Sequence, residues 1–130
     1  SKTMDSMTSY LNIISEVRDE LILLTKNALD SGINKNNIIW DPGLGFAKNN
    51  KHNIDLILNI AEVSKGEYPV MLGPSRKRFV GEVLKENDVK KRIWGTVAIA
   101  CKAVELGVDI IRVHDVNAIY KTLLMANELW

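Results

Sequence analysis

Three short apolar runs, "NIIW" (37–40), "YPVMLG" (68–73) and "VDIIRVHD" (108–115), each lead into a polar, glycine-bearing or charged loop and then into a stretch with helical spacing. This alternation limits the fold more than any other feature. Strands that alternate with helices imply a parallel sheet with right-handed crossovers. A helical segment also precedes the first run. Over 8–31, Ile14, Val17, Leu21, Leu24 and Ala28 recur at three- and four-residue steps, so one face should carry them all, and Gly32 stands where a C-cap belongs. Helices are further expected over 52–64 (through Ile54, Ile57, Leu58 and Ala61), 75–85, 89–106 (stopped by Gly107) and 116–130. Pro69 opens the second run, where a missing N–H does least harm.

Composition narrows the functional classes. The 130 residues fit one domain, and 46% hydrophobic with 25% charged residues is the profile of an ordinary globular protein. A net charge of +1 provides no global field for nucleic acid or an anionic membrane, and neither is expected as a partner. No uninterrupted apolar run reaches the length of about 18 residues that a membrane span needs. Cys101 is the single cysteine and cannot close a disulfide within the chain, while "SKTMDSMTSY" lacks the apolar core of a signal peptide. A reducing compartment is expected, the cytoplasm or alternatively the mitochondrion.

In parallel α/β folds ligands bind at the carboxyl ends of the strands. Three clusters fall there. "DPGLGFAK" puts Asp41 at a strand tip, with Gly43 and Gly45 allowing close backbone approach, Phe46 as an apolar wall and Lys48 beyond. "GPSRKRF" carries Gly73, Ser75, Arg76 and Lys77 into a helix. "RVHD" sets Arg112 and His114 two apart, on one face of a strand, with Asp115 just outside.

Each cluster has a plainer reading. Asp-Pro-Gly is ordinary turn chemistry, and "GLGFAK" lacks both the third glycine of a dinucleotide fingerprint and the lysine spacing of a P-loop. Ser75 could simply cap a helix, with Arg76, Lys77 and Arg78 a solvated charge run. A lone histidine is more often structural than catalytic. Arg112 resists this treatment, because it interrupts a strand expected to be buried on both faces, where a guanidinium without an anion is costly. Cations and a helix start around one mouth suit a phosphate or pyrophosphate. A carboxylate on the same rim can accept two parallel hydrogen bonds from an amidine-like edge. The residues thus describe a site for a ligand with an anionic end and an aminated heterocyclic end.

"DPGLGFAK", "GPSRKRF" and "IIRVHDV", in this order and at similar separations, resemble the later motifs of the dihydropteroate synthase family of folate biosynthesis, the sulfonamide target. "GPSRKRF" is most similar to eukaryotic versions. The resemblance implies an α/β fold, the C-terminal half of a (β/α)8 TIM barrel running from helix 5 through helix 8 with three parallel strands. It implies a transferase that joins 6-hydroxymethyl-7,8-dihydropterin pyrophosphate to p-aminobenzoate and releases pyrophosphate. On that basis Asp41 and Gly45 belong to the pterin site with Lys77 and Arg112, Arg112 and His114 bind the pyrophosphate, and Phe46, Ser75 and Arg76 wall the p-aminobenzoate pocket. Lys77, Arg112 and His114 would be the catalytic group. Magnesium would travel with the pyrophosphate, its ligand residue coming from the N-terminal half of the barrel and none from this chain.

A barrel of this type takes about 250 residues. The resemblance therefore places residues 1–130 after the fifth strand, as one part of a single pterin-binding domain whose N-terminal half is a required partner, with a homodimer expected for the complete enzyme. Activity of these residues alone is not expected. Three other readings stand beside this one: a methyltetrahydrofolate-type pterin-binding methyltransferase barrel, which would have no pyrophosphate to release; a non-catalytic half-barrel scaffold; and an unrelated phosphate-binding barrel, in which Asp41 and Phe46 would have no pterin role.

Overall fold

The computed structural model describes residues 2–46 and 49–130, with side chains described from residue 13 onward. Lys48, named above as part of the first cluster, lies outside the described residues. The order is α1 (Lys2–Asp30), α2 (Asn50–Leu58), α3 (Ile60–Ser64), β1 (Met71–Leu72), α4 (Arg78–Leu84), α5 (Ile93–Glu105), β2 (Ile110–Ile111) and α6 (Val116–Leu129), with 3-10 turns at Lys35–Asn37 and Val89–Arg92.

The expected parallel pairing is present, but far shorter than the apolar runs. Met71 pairs with Ile110 and Leu72 with Ile111, both parallel, and Trp40 forms an isolated parallel bridge to Val70. The second run is therefore central. The first run contracts to Trp40 because Lys35–Asn37 closes a 3-10 turn before it, capped by the Asn34 side chain. Trp40 is then held on both sides, its N–H donating to the Pro69 carbonyl at 2.8 Å and its carbonyl accepting from Met71 at 2.9 Å. Across the sheet, the Asp109 carboxylate takes the Val70 N–H at 2.8 Å.

The helices depart from expectation in four places. In α1, Ile14, Val17 and Leu21 are buried, but Leu24 is 56% exposed and the next inward position is Thr25. Thr25 Oγ1 donates to the Leu21 carbonyl at 2.7 Å and accepts the Trp40 indole N–H at 2.8 Å, so a polar residue completes the apolar stripe. The 52–64 helix is split at Asn59, whose side-chain amide bonds back to the Asp55 carbonyl at 2.9 Å and competes with the helical ladder. Its inward residues are Leu56, Ile57, Ile60 and Val63, whereas Ile54 and Leu58 face outward. The third helix begins at Arg78 rather than Ser75, because Arg76 adopts φ +60° and interrupts the helical course. The fourth opens as the 3-10 turn Val89–Arg92, capped by Asp88, before α5.

Gly32 (φ +94°) follows α1 and Gly107 (φ +76°) follows α5, as their positions in the sequence indicate. The core lies between α1, the sheet, α2–α3 and α4, and includes Trp40, Leu44, Leu56, Leu72 and Phe79. Trp40 stacks on Tyr68 with ring centroids 5.2 Å apart, and the Arg18 guanidinium sits 5.8 Å over the indole. Among the described residues no helix is long and apolar enough to cross a membrane.

Candidate active site

Three loops leave the carboxyl ends of the parallel segments and meet. The first, after Trp40, is shaped by its own turn chemistry. Asp41 Oδ1 accepts the Gly43 N–H at 2.9 Å, the local turn that Asp-Pro-Gly favours. Gly43 and Gly45 both have positive φ (+74° and +85°), and between them Leu44 is only 2% exposed. The loop is thus pinned by a core leucine. Asn53, 1% exposed on α2, clamps it again by accepting the Gly45 N–H at 2.8 Å while donating to the Asn49 carbonyl at 3.0 Å.

These anchors leave Asp41 Oδ2 free to face Arg112, 3.8 Å from its Nη2. The pair is long and partly solvated, so it contributes little to stability. Arg112 itself is 60% exposed, which corrects the expectation of a guanidinium buried on both faces. It stands one residue beyond β2, with its N–H on the Leu72 carbonyl at 2.9 Å, and its side chain reaches over the backbone of Gly73. A Cβ at Gly73 would lie 2.8 Å from Arg112 Nη2. The arginine's position therefore depends on a glycine in the neighbouring strand.

The second loop carries Ser75, Arg76 and Lys77. Ser75 is 6% exposed and does not sit at the start of a helix, since Lys77 is the N-cap of α4. Its hydroxyl instead meets the third loop: Oγ lies 2.9 Å from His114 Nδ1 and accepts the His114 backbone N–H at 3.1 Å. Beside it, Arg76 Nη2 pairs with Asp115 Oδ1 at 3.3 Å. Lys77 turns the other way, its Nζ 4.6 Å from the centre of the Phe46 ring and its stem against Gly45.

The eight residues to which the resemblance gives site roles thus form one connected group, from Phe46 through Lys77, Gly45, Arg112 and Asp41 to Ser75, His114 and Arg76. Ser75, Arg76, Lys77, Arg112 and His114 line a common cavity of about 440 Å³ with Gly73, Val89 and Val113. Arg76, Lys77 and Arg112 stand against Asp41 and Asp115, so the rim has one more cation than anions. Such a rim can bind an anion through charged donors and still offer a carboxylate to a polar heterocycle.

Sequence reasoning missed the residues that hold this group in place. Asn53 has no motif around it, although its polar character within an apolar helical stretch was a signal. Arg92, in the 3-10 turn before α5, donates from Nη1 to the Arg76 carbonyl at 3.0 Å and from Nε to the Glu86 carbonyl at 3.1 Å. It stabilises the left-handed residue that delays α4. Nothing in the local sequence indicates that role.

The pterin binding enzyme family matches residues 1–114. A Synechocystis sp. protein named dihydropteroate synthase is 40% identical over 129 residues, covering 99% of this chain and 45% of that protein. The folic acid synthesis protein fol1 of Pneumocystis carinii is 46% identical over 132 residues, covering 98% of this chain and 18% of its own length. Among solved structures, dihydropteroate synthase from Thermus thermophilus in complex with 4-aminobenzoate superposes with a TM-score of 0.84 at 36% identity, over 91% of this chain and 45% of that one. The chain spans less than half the length of each of these relatives. The match runs through all three strand-end loops to His114, and the chain belongs to the pterin binding enzyme family.

Proposed function

We propose that these residues are the later part of a dihydropteroate synthase barrel, contributing units six to eight of a (β/α)8 fold. The whole enzyme would condense 6-hydroxymethyl-7,8-dihydropterin pyrophosphate with p-aminobenzoate. The observation that carries this reading is the meeting of Asp41 and Arg112 at 3.8 Å beside the cationic cavity that holds Ser75, Lys77 and His114. One rim then offers an acceptor for an amino-pyrimidine edge and donors for a pyrophosphate.

In this reading Asp41 accepts hydrogen bonds from the pterin's amino-pyrimidine edge, with Gly45 leaving room for the ring. Lys77 reaches the oxygen and ring-nitrogen side, and Arg112 lies against the ring face. Arg112 and His114 bind the pyrophosphate. The exocyclic carbon–oxygen bond breaks with its electron pair leaving on pyrophosphate, and the resulting cation is delocalised into the electron-rich pterin. The aniline nitrogen of p-aminobenzoate, held between Phe46, Ser75 and Arg76, attacks the methylene and then loses a proton to solvent. The residues contribute positioning and charge stabilisation rather than a strong base.

Magnesium, which would supply further charge neutralisation to the pyrophosphate, does not fit the described residues as a resident ion. Among them no three His, Cys, Asp or Glu side chains cluster, and Asp41 and Asp115 each face an arginine. The magnesium ligand would come from the polypeptide that supplies the other strands.

Calorimetric titration with the pterin pyrophosphate tests the reading, on this chain with and without a polypeptide carrying the remaining strands, in magnesium. Binding and dihydropteroate formation are expected only when the two are combined. No binding in a mixture shown to be folded would overturn the synthase reading and favour a scaffold.

A further inference from the structure

The contact between Ser75 and His114 has a hydrogen-bond inventory that favours one arrangement. A serine hydroxyl offers one proton and two lone pairs. One lone pair accepts the His114 backbone N–H at 3.1 Å. The second contact, 2.9 Å to His114 Nδ1, has two possible directions. If Nδ1 carried the proton, the hydroxyl would accept twice, and its own O–H would be left without an acceptor. Ser75 is 6% exposed and has no other hydrogen-bond partner among the described residues, so that proton would have only water in the cavity to donate to. If the hydroxyl donates to Nδ1, all the groups are satisfied.

We infer that Ser75 is a positioning residue that holds neutral His114 in the Nε2–H tautomer, so that the imidazole meets an anion in the neighbouring cavity as a hydrogen-bond donor without having to be protonated. The same hydroxyl ties the backbone and the ring of His114 at once, which fixes ring orientation as well as tautomer. Arg112, which lines the same cavity, supplies the formal charge. His114 then adds a directed N–H beside that charge. The identity of the anion as a pyrophosphate rests on the synthase reading; the tautomer does not.

The chain has only two histidines, His52 and His114, so nitrogen-15 spectra of its imidazoles at mildly alkaline pH can be assigned with a His52→Gln variant. The wild-type spectrum is expected to show His114 with a bare Nδ1 and a protonated Nε2, favoured by about tenfold or more. Ser75→Ala should let the ring drift to a mixture of tautomers and weaken binding of inorganic pyrophosphate by about tenfold. Ser75→Thr, which keeps the hydroxyl, should restore both. A proton on Nδ1 in the wild type overturns the inference. So does an unchanged tautomer in Ser75→Ala whose His52 signal and circular dichroism match the wild type. If the wild type carries the Nε2–H tautomer yet does not bind inorganic pyrophosphate in the presence of the completing polypeptide, the synthase reading fails and the tautomer assignment stands.

Discussion

At Gly73 the three atoms nearest to an added Cβ all belong to the end of the Arg112 side chain, the nearest at 2.8 Å. Gly73→Ala should therefore move the guanidinium and leave the fold intact. The expected result is a loss of anion affinity worth about 1.5–3 kcal/mol, the range for one charge-assisted hydrogen bond, with an unchanged urea midpoint. Calorimetry and denaturation on one preparation check both halves. Asp41 divides its two oxygens between a turn and Arg112, and this makes a sharper test of its role. Asp41→Asn keeps an oxygen for the Gly43 N–H while removing the charge. Pterin binding should weaken by about tenfold or more while inorganic pyrophosphate binding is spared; equal loss of both would count against a pterin role for the acid.

Among the elements, α4 and the turn before α5 depend on each other. The carbonyls of Arg76 and Glu86 both accept from Arg92, so Arg92→Ala leaves two part-buried acceptors to find water. A destabilisation of about 2–3 kcal/mol is expected in chemical denaturation. Arg92→Lys should not repair it, since a single ammonium cannot span two diverging carbonyls. On the outer side of α4, a hydrogen bond from Arg78 and a second from Asn50 at the start of α2 hold the Glu82 carboxyl below the usual glutamate range. A carboxyl with a lowered folded-state value adds stability above the ordinary value, and the addition disappears as pH falls through the folded value. Glu82→Gln should thus be slightly less stable than the wild type at neutral pH and indistinguishable from it in acid, as urea midpoints at the two pH values would reveal. The boundaries of α4 were not legible in its sequence. "SRKRF" has good helical spacing from Ser75 onward, and the distant Arg92 holds the carbonyl of the left-handed Arg76 that delays it.

For the molecule as a whole, the sheet is narrow and open. Ile39 is 50% exposed beside the Trp40 bridge and Ile110 is 38% exposed in β2, while Ile22, Leu23 and Leu24 on α1 and Tyr120, Leu124 and Met125 on α6 also face outward. Apolar residues at sheet edges and on helix faces are characteristic of surfaces that pair with more protein. The 130 residues by themselves should bind a hydrophobic dye and associate as concentration rises. On the synthase reading, a polypeptide carrying further strands of the barrel should suppress both effects in dye fluorescence and sedimentation. Dye binding that is unchanged by that polypeptide would argue that these faces do not belong to a shared barrel.

The alternation of elements, the parallel sense of their pairing and the residues that gather at the strand ends were all legible in the sequence. Those features depend on local period, on turn residues such as Asp41-Pro42-Gly43, and on the rule that crossovers are right-handed. Motif similarity singled out Asp41, Ser75, Lys77, Arg112 and His114. Tertiary structure alone decided how far each strand extends, which helix face turns inward and what holds each site residue. Leu24 and Thr25 differ by one position on α1, and the choice between them was made by the Trp40 indole, fifteen residues away in sequence, which needed a hydroxyl. Arg112 proved exposed, because burial of a strand residue depends on what covers it and not on its neighbours in the chain. The bond between Ser75 and His114 joins residues 39 apart. No local pattern encodes such a contact, because its energy is realised only when separate strand ends are brought to one place.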